Sequence, residues 1–184
     1  VSAAGLVLAA GQGRRYGMPK ALVVRDGQWL VERALATLRD GGCEPVAVVL
    51  GAAADEVLAV ADLGDALVVR NPEWPEGMGS SLRAGLAALA ATPAECVAVL
   101  LVDTPGITPA AVRRVLRYAG PGALAAASYA DRQGHPVLLG RRHWTGVAEL
   151  ATGDQGVRPY LALNQVILVD CDDVADDTDP DIPE

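Results

Sequence analysis

Glycines and cations crowd one short stretch of the chain, Leu6 to Lys20, which reads LVLAAGQGRRYGMPK. An apolar strand that ends in closely spaced glycines presents backbone N–H groups to an anion. Arg14, Arg15 and Lys20 beside Gly11 and Gly13 add charge pointing the same way. Phosphate binding is the implied chemistry. The Walker loop is excluded, because Lys20 follows Pro19 and precedes Ala21 instead of completing Gly-Lys-Ser/Thr. The dinucleotide fingerprint is excluded as well. Gly11, Gly13 and Gly17 are spaced G-x-G-x-x-x-G, and the second apolar run ends at Leu50-Gly51 without the acid that grips a ribose. Three cations added to the glycines suit a triphosphate. Of 15 basic residues 14 are arginine, so the single lysine, Lys20, stands where a compact ammonium is wanted; a solvated surface lysine is the alternative.

Two further stretches carry polar groups in places where they could meet that loop. NPEWPEGMGSSLRAG brings Asn71, Gly77, Gly79, Ser80 and Ser81 to the expected start of a helix, whose N–H groups are open to a ligand. LLVDTPGITP puts Asp103 directly after an apolar strand; a carboxylate close to a triphosphate needs a cation to offset the repulsion, which makes Asp103 a metal candidate. Plainer readings stand beside these. Ser80 and Ser81 could be helix caps, Asp103-Thr104-Pro105 a turn capping the helix after Thr108, and His135 a packed hairpin histidine. His143 reads as surface, and Trp74 and Met78 as apolar support of their loop. Nothing in the spacing assembles a Ser-His-Asp or Cys-His pair.

The elements that must position these residues alternate. Strands are expected at Gly5–Ala9, Val46–Leu50, Ala66–Val69, Cys96–Val102 and Ala123–Ser128, with helices at Trp29–Arg39, Asp55–Ala61, Ser80–Ala91 and Pro109–Tyr118 between them. Beyond Ser128 come a hairpin near Asp131–Gly134, strands at Pro136–Leu139 and Val166–Val169, and helices near Arg142–Leu150 and Val157–Leu163. Continuous Val/Leu/Ala strands between amphipathic helices indicate an α/β fold with a mostly parallel sheet covered on both faces. Ligands of such sheets sit outside the carboxyl ends of the strands, where all three polar stretches fall.

Composition narrows the function classes. At 184 residues and 51% apolar content the chain suits one domain with one core. No apolar run reaches the length of a membrane span, and the basic residues follow the first apolar run instead of preceding it, so a cytoplasmic protein is expected. Cys43, Cys96 and Cys171 lack C-x-x-C spacing and read as reduced thiols in or near the core. The net charge of −8 comes from Asp170–Glu184, which holds 8 of the 23 acids and no base. Such a run is a solvated tail or supplies aspartates to a metal site. A neutral body with 4% aromatics offers no surface for nucleic acid.

Taken in order, LAAGQGRRYGMPK, NPEWPEGMGSSLRAG, LLVDTP, RQGHPVLLGRRHW and GDQGVRPYL resemble the MobA-like nucleotidyltransferase family, and within it the molybdenum cofactor cytidylyltransferases. The resemblance runs from Gly5 to about Leu161. It implies a three-layer α/β/α, Rossmann-like nucleotidyltransferase fold in a single domain, residues 1–184, with a nucleotide-binding half at 1–120 and an acceptor-binding half at 121–184. By this resemblance Ala9, Ala10, Gly11 and Gly13 lie along the nucleotide, Arg14, Arg15 and Lys20 hold its phosphates, and Asn71, Gly77, Ser80 and Ser81 line base and ribose. Asp103 would hold Mg²⁺, and His135, Asp154 and Arg158 would receive a pterin phosphate acceptor. Lys20, Arg15 and Asp103 would carry the catalysis, in-line attack of an acceptor phosphate oxygen on the α-phosphorus of CTP with loss of pyrophosphate. A molybdoenzyme or its chaperone would receive the product. The family closes with D-x-D-T-P-x-D, shifted here to Asp176-Asp177-Thr178-Asp179-Pro180-Asp181, which leaves open whether Asp177 or Asp179 completes the metal site. Another phosphorylated acceptor, such as phospholactate, a sugar phosphate or an isoprenoid-precursor alcohol phosphate, is a second reading, and a nucleotide-binding regulator without turnover a third.

Overall fold

The computed structural model describes residues 1–13 and 17–178. In chain order its strands are β1 (Ala3–Ala9), β2 (Val24–Arg25), β3 (Gln28–Trp29), β4 (Val46–Leu50), β5 (Leu67–Arg70), β6 (Cys96–Leu101), β7 (Leu124–Tyr129), β8 (Arg132–Gly140) and β9 (Ile167–Asp170). The α-helices are α1 (Leu30–Asp40), α2 (Ala54–Val60), α3 (Met78–Ala90), α4 (Pro109–Val115), α5 (Trp144–Leu150) and α6 (Arg158–Ala162). Seven strands form one sheet in the order β5-β4-β1-β6-β8-β7-β9, and β2 with β3 makes a separate small hairpin. All pairings of the large sheet are parallel except those of β8, which runs antiparallel to both β6 and β7.

The central strand β1 is buried along its whole length, as a strand covered on both faces must be. Val7 and Ala9 face one layer, in which Val31, Leu35 and Leu38 of α1, Val57 of α2 and Val112 of α4 pack. Leu6 and Leu8 face the other, with Leu82, Leu86 and Leu89 of α3, Val147 of α5 and Leu161 of α6. The spacing of i, i+4, i+7 in α1 and α3 puts each apolar stripe on the sheet. The result is the three-layer α/β/α arrangement expected. Cys43, Cys96 and Cys171 are all buried and unpaired with one another, and burial pushes the Cys43 thiol up to about 12, so it is protonated at neutral pH.

The acidic C-terminal segment is not a solvated tail as far as Thr178. Cys171 donates to Ser128 O at 3.1 Å, Asp176 N to Gly106 O at 3.2 Å, and Thr108 Oγ1 to Val174 O at 2.8 Å. Asp173 pairs with Arg114 at 2.7 Å, and Asp172 accepts from Ala130 N at 2.8 Å. Buried Cys171 and the partly buried Val174 and Ala175, set among the acids, provide the apolar anchorage that a solvated tail lacks. Among the described residues no helix is long and apolar enough to cross a membrane.

Candidate functional site

At the carboxyl ends of β1 and β6 the chain opens into a cleft of about 410 Å³, lined by Ala10, Gly11, Gly13 and Lys20 of the glycine loop and its sequel and by Gly77, Ser81, Asp103 and Asp154. Parallel pairing of β1 with β6 brings the two strand ends together, Leu8 against Leu101, so the glycine loop and Asp103 become neighbours although 83 positions separate Lys20 from Asp103. Lys20 begins a short 3-10 turn, Lys20–Leu22, and its Nζ lies 3.7 Å from Asp103 Oδ2. That is an ion pair longer than a hydrogen bond, and both groups keep some exposure to the cleft.

The wall of the cleft at the start of α3 is held by Asn71. Its Oδ1 accepts from Glu73 N at 2.9 Å, and its Nδ2 donates to Ser80 Oγ at 2.9 Å and Ser81 Oγ at 3.0 Å. Its backbone N–H donates to Leu50 O at 2.8 Å, so one buried residue joins the end of β4 through its main chain to the following loop and the start of α3 through its side chain. Asn71 and Ser80 thus stand inside the wall, and Ser81 lines the cleft. Neither serine caps α3: the helix begins two residues before Ser80, with Gly77 at its cap position, and Ser80 Oγ donates to Gly77 O at 2.8 Å and Glu73 O at 3.0 Å. Thr108 does cap α4, accepting from Ala111 N at 3.3 Å. Trp74, read from sequence as loop support, lines the cleft as well.

The second half of the chain closes the site from the α3 side. Gly153 O accepts from Gly79 N at 2.8 Å, so an N–H group at the start of α3 is taken by the protein itself. Gly77 makes this docking possible. It has φ of +105°, and a Cβ there would come within 2.6 Å of Gly153 O and 2.7 Å of Asp154 Oδ1. Gly77→Ala is therefore expected to cost about 2 kcal/mol or more and lower the melting temperature by roughly 4–8 °C. Thermal denaturation checks this, and an unchanged melting curve would show that the loop docks without Gly77.

His135, on β8, is half-buried and lies close enough to Arg158 at the head of α6 to feel its charge. Burial, followed by that charge, lowers the imidazole to about 4, so His135 is neutral at physiological pH and can both donate and accept a hydrogen bond. Its backbone carbonyl accepts from Tyr129 Oη at 2.8 Å. His135 and Arg158 lie near each other, outside the lining of the cleft that Asp154 reaches. Asp177 rests against Gly134 and Tyr129. Among the described residues no three His, Cys, Asp or Glu side chains converge as a metal site. Arg14, Arg15 and Asp179 lie outside the described residues.

Residues 5–168 match the MobA-like NTP transferase domain. The chain belongs to that family. The chain is 40% identical over 190 residues to a protein of Paenarthrobacter nicotinovorans named nicotine blue oxidoreductase, a match that covers 98% of this chain and 92% of that one. It is 36% identical to a probable molybdenum cofactor guanylyltransferase of Opitutus terrae over 70% of this chain and 61% of the relative. Among solved structures, Rv0371c from Mycobacterium tuberculosis H37Rv superposes with a TM-score of 0.82 at 32% identity, covering 97% and 93% of the two chains. A complex of Rv0371c with manganese superposes at 0.79 with 27% identity, covering 100% and 91%. The relatives are thus named for two different chemistries, nucleotidyl transfer and oxidoreduction.

Proposed function

We propose that the chain transfers a nucleotidyl group from a nucleoside triphosphate to a phosphorylated acceptor and releases pyrophosphate. The observation that carries this reading is the Lys20–Asp103 pair at the mouth of a glycine loop, two opposite charges 3.7 Å apart in one cleft. Gly11 and Gly13 line the cleft beside Lys20, where a triphosphate would lie, and Lys20 offsets charge that collects on the departing pyrophosphate. Asp103, with the phosphates themselves, matches the donor set of Mg²⁺, which is commonly held by one or two carboxylates plus substrate oxygens. Mg²⁺ bound there would neutralise charge on the triphosphate. The acceptor's phosphate is already ionised near neutral pH and needs no general base. Asp154, Arg158 and neutral His135 are the groups assigned to the acceptor, for which a molybdenum cofactor pterin is the leading candidate.

The base assigned is cytosine. Ala10 is buried at the cleft wall, and a Cβ on Gly51 would come within 2.9 Å of the Ala10 methyl and 2.6 Å of Trp74 Cβ. Ala10 and Trp74 line the cleft with Gly51 packed closely behind them, so the Ala10 methyl takes room that a glycine would leave to a larger purine. A steric difference of this size is worth about 1–3 kcal/mol, roughly 10- to 200-fold in kcat/KM. CTP is therefore expected to be preferred over GTP, with the margin narrowed in Ala10→Gly. The measurement is kcat/KM for each triphosphate with one acceptor. Preference for GTP in the wild type would transfer the assignment to the guanylyl branch that the Opitutus relative's name represents.

A second reading, oxidoreduction of nicotine blue, is favoured by the near full-length similarity to the protein named nicotine blue oxidoreductase. Against a dinucleotide site, Gly51 stands at the end of β4 where a dinucleotide fold carries its ribose-binding acid. Pyrophosphate release with each triphosphate and an acceptor panel, run beside absorbance loss of nicotine blue with a reduced nicotinamide nucleotide, separates the two. Dye reduction without pyrophosphate would replace the transferase reading.

A further inference from the structure

The turn that carries Asp103 is tied down from outside itself. Upstream, Val102 N donates to Leu8 O at 3.2 Å and holds the strand end against β1. Downstream, Arg33 of α1 donates from Nε to Pro105 O at 2.8 Å, and Asp176 N donates to Gly106 O at 3.2 Å. Arg33 also reaches the segment that follows Lys20. Its Nη1 lies 3.9 Å from Asp26 Oδ2, and Asp26 sits in the turn of the β2–β3 hairpin that follows Lys20. Leu30 N, at the head of α1, donates to Val23 O at 2.8 Å, and Val23 N donates to Lys20 O at 3.1 Å. One helix thus starts on the Lys20 turn and, one turn later, grips the Asp103 turn.

We propose that Arg33 is a positioning residue that sets the spacing between Lys20 and Asp103. The inference rests on the reading of that pair as the working pair of the cleft. Asp26 is largely exposed, so its ion pair with Arg33 contributes little by itself. The arm that matters is the bond to Pro105 O, made by a guanidinium whose planar N–H groups fix direction as well as distance. Without it the Asp103 turn keeps its fold through Val102, Thr104 and Asp176, and loses its registry with Lys20.

The test uses the full chain with Arg33→Ala and Arg33→Lys. Arg33→Ala is expected to raise the Mg²⁺ concentration for half-maximal turnover about 10- to 100-fold. It should lower kcat about 10-fold and leave KM for the triphosphate nearly unchanged, the split expected when alignment is lost and binding is kept. Arg33→Lys keeps the charge beside Asp26 without the planar donor and should fall between; it also serves as the test variant if Arg33→Ala does not fold. A second readout needs no turnover. Lys20 is the chain's single lysine, so amine labelling read by mass spectrometry, against a lysine peptide in the same tube, reports on it directly. Labelling of Lys20 is expected to speed up severalfold in Arg33→Ala at unchanged melting temperature. An unchanged Mg²⁺ requirement together with unchanged labelling overturns the proposal. If the wild type releases no pyrophosphate from any triphosphate, the transferase reading fails on its own, and labelling alone then upholds the brace if it accelerates and overturns it if it does not.

Discussion

Replacing Lys20 by alanine is expected to lower pyrophosphate release by roughly 100-fold or more, the size of loss seen when one preorganised charge-stabilising donor is removed. The effect has two parts. The ammonium that would offset charge on the leaving pyrophosphate is gone, and Asp103, 3.7 Å from it in the wild type, faces the same phosphates without that ammonium beside it. Stability should hardly change, because a partly exposed ion pair contributes about 0–1 kcal/mol. Arginine is not expected to restore the rate fully, since a planar guanidinium cannot enter as a point charge where the 3-10 turn brings the chain close to the cleft. The measurement is steady-state kcat and KM for the triphosphate in Lys20→Ala and Lys20→Arg, with thermal denaturation alongside. Near-normal kcat in Lys20→Ala would remove Lys20 from the phosphate site.

That pair was legible because each partner is defined by a strand end. Lys20 belongs to the loop after β1, Asp103 ends the extension of β6, and the rule that ligands gather at carboxyl ends of parallel strands brings both to one place before any coordinates are known. The strands themselves were legible for a related reason: burial on both faces makes β4 and β6 continuous apolar runs that begin and end abruptly. Legibility failed where the signal is small or masked. The β2–β3 hairpin has two residues per strand, too few to show a period of two, although Asp26-Gly27 is a strong turn dipeptide. The sequence points to a start of α3 at Ser80, two residues late, because Gly77 and Gly79 carry weak helix propensity, and the structure starts the helix at Met78, where Gly79 N docks on Gly153 O. The acidic segment misled because its charges outnumber the three apolar residues that seat it, Cys171, Val174 and Ala175. Arg33 left no trace at all. Its bond to Pro105 spans 72 positions, and no spacing rule links a helix surface arginine to a turn carbonyl so far away.

Asp103→Asn is expected to reduce turnover by about 100-fold or more and to flatten the Mg²⁺ dependence of what remains. The substitution keeps the shape of the side chain and removes its charge, so it separates two roles that the geometry combines. As a holder of Mg²⁺, Asp103 supplies a protein oxygen with full negative charge to a cation that dehydrates reluctantly, and an amide oxygen at the same position is a much poorer ligand. As a partner of Lys20, Asp103 only fixes where the ammonium rests, 3.7 Å away. The first role predicts a rightward or lost Mg²⁺ titration; the second predicts a lower kcat at an unchanged Mg²⁺ midpoint. Manganese is the useful second probe, since the Rv0371c structure was obtained with that ion. Binding of Mn²⁺ in the presence of triphosphate, followed by calorimetry, should weaken in Asp103→Asn and stay near wild type in Lys20→Ala. Equal Mn²⁺ affinity in wild type and Asp103→Asn, with an unshifted Mg²⁺ midpoint, would reduce Asp103 to the anchor of Lys20 and move the search for a metal ligand to Asp154, the second carboxylate lining the cleft among the described residues.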